Sequence, residues 1–141
     1  MAIQFHPGQG VVVICDYSTG FIVPEMVKRR PAIIICPKIA GRPGLCTVVP
    51  LSTSVPDPVM PYHSEIKLPF GLPHPFDADT QWVKGDMVAA VSFDRLDLIR
   101  LGKRPDGSRR YLITPIGEEL MGVVQGCVLN GIGLQALTKE G

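Results

Sequence analysis

The sequence predicts a small, mainly β domain, a β-barrel with one C-terminal α-helix. The chain carries 14 prolines and 15 glycines, and a proline inside a helix removes a hydrogen-bond donor and clashes with the preceding turn. The pieces between these breaks are rich in valine and isoleucine, which favours strands. With 141 residues, 45% of them hydrophobic, the chain is long enough for one core, and we expect residues 1–141 to form a single domain.

Six segments have the composition of strands. A continuous apolar run such as the alanine and three isoleucines of the second segment predicts a strand covered on both faces. In the fourth segment we expect Glu65 to point outward and Ile66 inward. The fifth segment contains Gly85, where we expect a bend. The six segments are Val11–Asp16, Arg30–Pro37, Leu45–Ser52, Glu65–Leu68, Trp82–Val91 and Arg109–Thr114.

Three connections between predicted elements have compositions that indicate their structure or function. The first, Tyr17–Arg29, joins the first two strands and contains an acidic and two basic residues. The second, a proline-rich insertion at 54–81, is long for a loop in a compact domain, so we expect part of it to be ordered or functional. The third, Gly102–Ser108, contains Pro-Asp-Gly, a turn signal that joins two strands or a strand and a short helix.

The last third of the chain predicts an amphipathic helix. Thr114 is expected to cap its N-terminus, with Pro115 at the first helical position. Glu118 and Glu119 then fall in the first turn, where the helix dipole favours acidic side chains. The helix is expected to end near Asn130. Apolar residues recur at helical spacing and form one stripe for burial, namely Ile116, Leu120, Val123, Val124, Cys127 and Val128.

Composition limits the cellular compartments in which we expect the protein. The apolar runs Val11–Cys15 and Ala32–Cys36 are far shorter than the roughly 20 residues of a membrane-spanning helix. The N-terminus shows no secretory signal, and we expect a cytoplasmic protein without a membrane partner. The four cysteines form no CxxC pair, which favours reduced thiols in apolar surroundings.

Charge and motifs limit the possible ligands. The net charge of +1 argues against a protein that coats duplex DNA, although two basic clusters, at 28–30 and 100–110, leave room for a local nucleic-acid surface. The histidines have no metal-ligand spacing with one another or with the cysteines, so we expect no metal site. P-loop and dinucleotide-binding motifs are absent from the sequence, and we expect no cofactor.

Polar residues at strand ends are the candidates for chemistry. Arg30 directly precedes Pro31 and is therefore held extended, where its guanidinium is suited to gripping a phosphate, or alternatively forms a surface salt bridge with Glu25. Ser52 ends the third strand beside a buried flank, and its alternative role is to satisfy loop backbone groups. Lys84 and Asp86 bracket Gly85, and their alternative is an exposed ion pair.

Three blocks stand in a recognisable order. The first is Gly10–Asp16, an opening strand that ends in an acidic residue. The second is Pro24–Pro37 (PEMVKRRPAIIICP), and the third is Thr47–Ser54 (TVVPLSTS). Support also comes from Trp82–Leu96 (WVKGDMVAAVSFDRL) and from the C-terminal helix. Taken together, the chain resembles the MazF/PemK family of toxin endoribonucleases from bacterial toxin–antitoxin systems.

The resemblance implies a fold, an activity and partners. The implied fold is a small SH3-like β-barrel of the CcdB/MazF toxin type. The implied activity is metal-independent, sequence-selective cleavage of single-stranded RNA to 2′,3′-cyclic phosphate and 5′-hydroxyl ends. The implied partners are a second copy of the chain in a homodimer, a cognate antitoxin protein and the RNA substrate.

The resemblance also assigns site residues. The arginine before proline of the family falls on Arg30, its strand-end hydroxyl on Ser52, its substrate-side glutamate on Glu25, and the basic–x–Asp element of PemK-like members on Lys84 and Asp86. Which group exchanges the proton stays open between Glu25, Asp86 and Arg30. The catalytic candidates are Arg30, Ser52, Thr53, Glu25 and Asp86. The RNA-binding candidates are Lys28, Arg29, Lys84, Tyr62, His63 and Arg95.

Some features depart from the family pattern, and two other functions compete. Ser52 stands where many members have threonine, and Lys84 stands where some have arginine, which loses bidentate geometry. The 54–81 connection is longer than usual in the family, and we expect it where a substrate or antitoxin groove would lie. A CcdB-like gyrase poison is one alternative, although Trp82 lies mid-chain rather than at a helix tip. A non-catalytic RNA- or protein-binding barrel is the other.

Overall fold

The computed structural model describes residues 2–138, and a mainly β architecture with a single α-helix is confirmed. Within those residues the strands are β1 (Val12–Asp16), β2 (Arg29–Ile34), β3 (Leu45–Ser52), β4 (His63–Ile66), β5 (Gln81–Lys84), β6 (Ala89–Ser92), β7 (Leu96–Leu98), β8 (Arg100–Lys103) and β9 (Arg109–Tyr111). The helix α1 spans Glu118–Gly131, and short 3-10 turns lie at Gly85–Met87, Phe93–Arg95 and Gln135–Thr138. No helix within residues 2–138 is long and apolar enough to cross a membrane.

Seven strands form one antiparallel sheet. Its order is β4-β5-β3-β2-β1-β7, and β6 pairs with the other end of β3. Strands β4 and β7 therefore stand at the two ends of this path, and among the described residues the sheet is not closed by hydrogen bonds between them. The remaining strands, β8 and β9, form a separate hairpin.

Two cores lie on opposite faces of the sheet, because successive side chains of a strand alternate in direction. The first core fills the face toward α1 and includes Ile33, Val49 and Leu51. The second core uses the intervening positions, including Ala32 and Val48. Coverage of both faces explains why β2 and β3 are apolar at almost every position.

The insertion at 54–81 is ordered. It contains β4, which pairs with β5 in the register Glu65↔Trp82. Beyond β4, Leu72 is buried in the first core, and the Gln81 side-chain amide donates to the Phe76 carbonyl at 3.2 Å. The second half of the insertion thus covers the first core, which is the face away from Arg30.

Several predicted strand boundaries were wrong. The fourth strand begins two residues earlier than predicted, at His63 rather than Glu65. The single fifth strand is two strands, because its halves pair with opposite ends of β3 and a 3-10 turn at Gly85–Met87 separates them. The sixth ends at Tyr111, and β7 and β8 were not predicted from the sequence.

The predicted start of the helix was also wrong. The helix begins at Glu118, and its N-cap is Gly117, with a positive φ of 97°. Before the helix, the Ile116 backbone N–H donates to the Gly10 carbonyl at 3.0 Å. This bond ties the segment to the residues just before β1, so the helix does not extend back to Ile116. Of the predicted stripe, Val123 is exposed, and Met121 is buried in its place.

Candidate active site

Arg30 and Ser52 share one face of the sheet at neighbouring strand ends. The register between β2 and β3 pairs Ala32 with Pro50. Two residues further along each strand, the same register brings Arg30 opposite Ser52. Residues directly opposite in an antiparallel pair point to the same face, with Cβ atoms about 5 Å apart. The hydrogen-bonded ladder ends at Ala32–Pro50, and its register, continued by two residues, brings the arginine and the hydroxyl to the same face at neighbouring strand ends.

The same row continues across β5 and β4. Ser52 pairs with Trp82, and Trp82 pairs with Glu65. One step along the strands, Lys84 pairs with His63. All of these side chains are on the face that carries the second core further along β2 and β3, but here the face is polar and partly open. The sheet thus presents a row of charged and hydroxyl groups beyond the edge of its apolar core.

The charged groups of this row act on one another. Burial lowers the pKa of the Lys84 ammonium, Asp86 opposes that shift, and the Arg30 guanidinium adds to it. Two cations and one carboxylate are therefore close enough to interact electrostatically. This arrangement suits a phosphate, because an anion bound between two cations offsets their mutual repulsion.

Ser52 and Thr53 point in different directions. Ser52 is buried, with 5% of its surface exposed, and its Oγ accepts a hydrogen bond from the Ser54 backbone N–H at 3.1 Å. That bond uses a lone pair of the oxygen and leaves the hydroxyl proton free to donate. Thr53 is exposed and follows Ser52 in the chain, so it does not share the face of Arg30.

Glu25 stabilises the loop between β1 and β2. Its carboxylate accepts a hydrogen bond from the Ile22 backbone N–H at 2.7 Å, which closes a local turn. Arg30 is held separately, because its Nε donates to the Val27 carbonyl at 3.0 Å. The contacts of Arg30 and Glu25 are thus with loop backbone groups, in place of the Arg30–Glu25 salt bridge that was the alternative to a phosphate-binding role.

The remaining basic candidates of β2 diverge from Arg30. Arg29 precedes it in the strand and therefore faces the opposite side, where its guanidinium lies 3.6 Å from the Asp97 carboxylate. Arg29 also lines a cleft of about 610 Å³ together with Arg100 and Arg109. Lys28 is exposed and has a positive φ of 77°.

Arg95 holds the same loop from the other side. Its guanidinium donates to the Asp16 carbonyl at 3.1 Å and to the Thr19 carbonyl at 2.6 Å. It also lies 4.7 Å from the centre of the Phe21 ring, within cation–π range. These contacts give Arg95 a structural role, in which it fixes the loop that leads into Arg30.

The turn that carries Asp86 packs directly on α1. A Cβ added at Gly85 would lie 2.3 Å from the Cys127 carbonyl oxygen, and one added at Gly131 would lie 2.7 Å from the backbone of Asp86. Only glycine fits at such distances, so the backbones of the turn and the helix touch. The helix therefore fixes the position of Lys84 and Asp86 relative to the sheet.

Tyr62 and His63 link the insertion to this turn. The Tyr62 carbonyl accepts from the Gly85 backbone N–H at 2.9 Å, and the Tyr62 ring packs edge-on against the His63 ring. His63 interacts electrostatically with Lys84 and Asp86. From the sequence, His63 was a candidate for RNA contact, with core or loop packing as its alternative role. Its period-two spacing from Glu65 was the signal that could have placed it on the face of the site.

Known proteins resemble this chain in sequence and in fold. YifN of Escherichia coli (strain K12), a putative uncharacterized protein, is 29% identical over 155 residues, which span 97% of this chain and 99% of that protein. MazF (Form-I) from Deinococcus radiodurans matches with a TM-score of 0.62 at 19% identity and covers 92% of this chain and 99% of that one.

A second solved structure is an endoribonuclease in complex with its cognate antitoxin from a mycobacterial species. It matches with a TM-score of 0.56 at 17% identity, over 92% of this chain and 97% of that one. At these identities the two solved structures support the fold alone.

The model of the family described as the PemK-like, MazF-like toxin of type II toxin-antitoxin systems matches residues 8–112. The chain therefore belongs to the PemK-like, MazF-like toxin family of type II toxin–antitoxin systems.

Proposed function

We propose that this toxin is an endoribonuclease that cleaves single-stranded RNA without a metal ion. The observation that carries the proposal is the Ala32–Pro50 register of β2 and β3, which, continued by two residues, brings Arg30 and Ser52 to the same face at a polar, partly open end of the sheet. Lys84, on the same face, interacts electrostatically with both Arg30 and Asp86. These residues supply the positive charge, the hydrogen-bond donors and the proton acceptor that phosphodiester cleavage by an internal nucleophile uses.

The proposed reaction uses the 2′-hydroxyl of the substrate. Attack on the neighbouring phosphorus is intramolecular, so correct positioning supplies much of the rate. The P–O2′ bond forms and the P–O5′ bond breaks, which leaves a 2′,3′-cyclic phosphate and a 5′-hydroxyl. The Arg30 guanidinium and the Ser52 hydroxyl stabilise the charge that develops on the non-bridging oxygens.

Two proton transfers complete the step. We assign the 2′-hydroxyl proton to the Asp86 carboxylate, because Glu25 already accepts a hydrogen bond from the loop backbone and Arg30 remains protonated in proteins. We assign protonation of the leaving 5′-oxygen to Lys84. Burial and Arg30 both lower the pKa of its ammonium, which makes it a stronger acid than an ordinary lysine.

A cleavage assay tests this proposal. Purified protein is incubated with single-stranded RNA in the presence of a chelator, and the ends of the fragments are mapped chemically. The expected result is sequence-selective cutting with 2′,3′-cyclic phosphate and 5′-hydroxyl ends. Cutting that requires a metal ion would overturn the mechanism, and RNA binding without any cutting would favour the non-catalytic barrel.

The structure gives the gyrase-poison alternative no support of its own. Trp82 lies within β5, paired with Ser52 and Glu65 in the middle of the sheet, and not at the tip of a helix. A DNA supercoiling assay separates the two activities. We expect no inhibition of gyrase at concentrations that cleave RNA completely.

We also propose that the toxin acts as a homodimer and is inhibited by a cognate antitoxin. Large apolar side chains are exposed along the C-terminal region, namely Val123, Ile132, Leu134 and Leu137. Such a surface favours association with another chain. Sedimentation at micromolar concentration should give the mass of two chains, and a monomer would contradict the homodimer. The complex of the mycobacterial endoribonuclease with its antitoxin supports the same class of partner here.

A further inference from the structure

His63 has one side of its ring occupied and the other available. The Met60 backbone N–H donates to the His63 Nδ1 at 3.0 Å, and the His63 backbone N–H donates to the Met60 carbonyl at 2.9 Å. These two bonds close the turn through Pro61 and Tyr62. A ring nitrogen that accepts a hydrogen bond carries no proton, so the proton of the neutral imidazole is on Nε2. Within residues 2–138, the hydrogen bonds of this ring are confined to Nδ1.

The surroundings of the ring keep it neutral. Burial and the Lys84 ammonium both lower the pKa of His63, and Asp86 opposes them only in part. Protonation of Nδ1 would also break the hydrogen bond from Met60, because two N–H donors would then face each other. The ring therefore presents a fixed, uncharged N–H donor on its free side.

The His63 side chain lies on the face of the sheet that carries the candidate active site. His63 pairs directly with Lys84, so both side chains point to the same face of the sheet. That face also carries Ser52, two strands across from His63, and Arg30, three strands across. Lys84 lies between them and interacts electrostatically with both His63 and Arg30. A phosphodiester held by Arg30 and Lys84 thus lies on the side of the sheet to which the His63 ring belongs.

We propose that His63 is a further catalytic residue, whose Nε2–H donates a hydrogen bond to a phosphoryl oxygen of the scissile phosphodiester. The proposal rests on the ribonuclease function proposed above. A neutral imidazole does not release its Nε2 proton at accessible pH, so His63 contributes electrostatic stabilisation and no proton transfer. The two proton transfers stay with Asp86 and Lys84.

The competing role for His63 is purely structural, as a cap for the turn at Met60. Two variants separate the two roles. In His63→Asn the side-chain oxygen stands near the position of Nδ1, so the bond from Met60 is kept and the Nε2 donor is lost. In His63→Gln the side-chain nitrogen stands near the position of Nε2, so a donor is kept and the bond from Met60 is lost.

The experiment measures kcat, KM and Tm for wild type and both variants on the same RNA. We expect His63→Asn to keep the Tm of wild type and to lose roughly 100-fold in kcat, as for removal of one preorganised donor. We expect His63→Gln to have a lower Tm and a smaller loss in kcat. Wild-type kcat in His63→Asn, or equal losses of kcat in both variants, would overturn the proposal.

A sulfur-substituted substrate gives a readout that a structural role would not move. Sulfur accepts hydrogen bonds poorly, so replacing the phosphoryl oxygen that His63 contacts should slow wild type for one phosphorothioate diastereomer. In His63→Asn the slowing caused by the sulfur should be smaller than in wild type. Slowing of the same size in both proteins would contradict the proposal. The proposed function fails separately, if wild-type protein does not cleave RNA at all.

Discussion

Ser52 and Ser54 lie two residues apart after the same strand, but only Ser52 is buried beside Arg30. The Ser52 hydroxyl oxygen already accepts from the Ser54 backbone, so its proton is the group left to act on a substrate. Ser54 is exposed and contributes that backbone N–H, which a change of its side chain preserves. The pair therefore offers a matched test of the hydroxyl.

Ser52→Ala should lower the single-turnover rate of RNA cleavage by roughly 100-fold, because one donor to the developing charge is lost. Ser54→Ala should cleave at the wild-type rate, since it leaves the backbone contact in place. Ser52→Thr keeps the hydroxyl and should retain most of the activity. Equal rates for Ser52→Ala and Ser54→Ala would remove Ser52 from the mechanism.

His63 should also make stability depend on pH. Burial and Lys84 lower its pKa in the folded state below the ordinary value of about 6.5, while Asp86 opposes the shift. The unfolded chain then binds the proton more readily than the folded chain. The free energy of unfolding therefore has its full value above the ordinary pKa and decreases as the pH falls from there through the lower pKa of the folded state. Urea unfolding at pH 7.5 and 5.5 should show this loss, and His63→Asn should show less of it. An identical pH dependence in both proteins would contradict this attribution.

At the scale of elements, the contact between α1 and the Gly85–Met87 turn sets the geometry of the site. Gly131 touches the Asp86 backbone, whereas a Cβ at Gly122 in the same helix would meet nothing within 4 Å. The two glycines are therefore a matched pair. A change at one displaces the turn, and the same change at the other affects only the intrinsic preference of the helix.

Gly131→Ala should destabilise the fold by about 1–3 kcal/mol, as expected for overpacking, and should lower cleavage because Lys84 and Asp86 move. Gly122→Ala should stabilise the fold by about 0.5–1 kcal/mol through helix propensity. Denaturant unfolding and cleavage rates at a temperature where both variants are folded provide the measurements. Wild-type activity in folded Gly131→Ala would show that the turn does not depend on this contact.

The sequence predicted some elements well because their signals are local. Strands β1, β2 and β3 have apolar runs bounded by breaks, and β3 was predicted at its observed bounds. The division of the fifth predicted strand depends on the contact between Gly85 and Cys127, which are far apart in the sequence. The start of α1 depends likewise on the bond from Ile116 to Gly10. Contacts of this kind leave no local pattern to detect.

The candidate site was predictable to a similar extent. Motif order pointed to Arg30 and Ser52, and the register of β2 and β3 places them opposite each other. The basic cluster at 28–30 looked like one surface in the sequence, but the pleat of β2 sends Arg29 and Arg30 to opposite faces. Arg95 contacts Asp16 and Thr19, nearly 80 residues earlier, which composition alone does not reveal.

At the scale of the whole molecule, the cysteines report on the integrity of both cores. Cys15, Cys46 and Cys127 are buried, and burial raises the pKa of each thiol to about 11. Cys36 is only half-buried. A thiol reagent at neutral pH should modify Cys36 first. It should modify the other three only on unfolding, because these buried thiols are inaccessible to the reagent and are not ionised at neutral pH. Rapid modification of all four in the native protein would contradict this packing.

The face that carries Arg30 is the proposed site of RNA cleavage. Arg29 is its neighbour in the chain, carries the same charge and points to the opposite face, where it lies beside Asp97. The most direct measurement is therefore kcat/KM on single-stranded RNA, with chelator present, for wild type, Arg30→Ala and Arg29→Ala. We predict a loss of roughly 100- to 1,000-fold for Arg30→Ala and a change of only a few-fold for Arg29→Ala, which alters net charge equally. Equal losses of kcat/KM in the two variants, or undiminished cleavage by Arg30→Ala, would show that RNA is not cleaved at the face that carries Arg30.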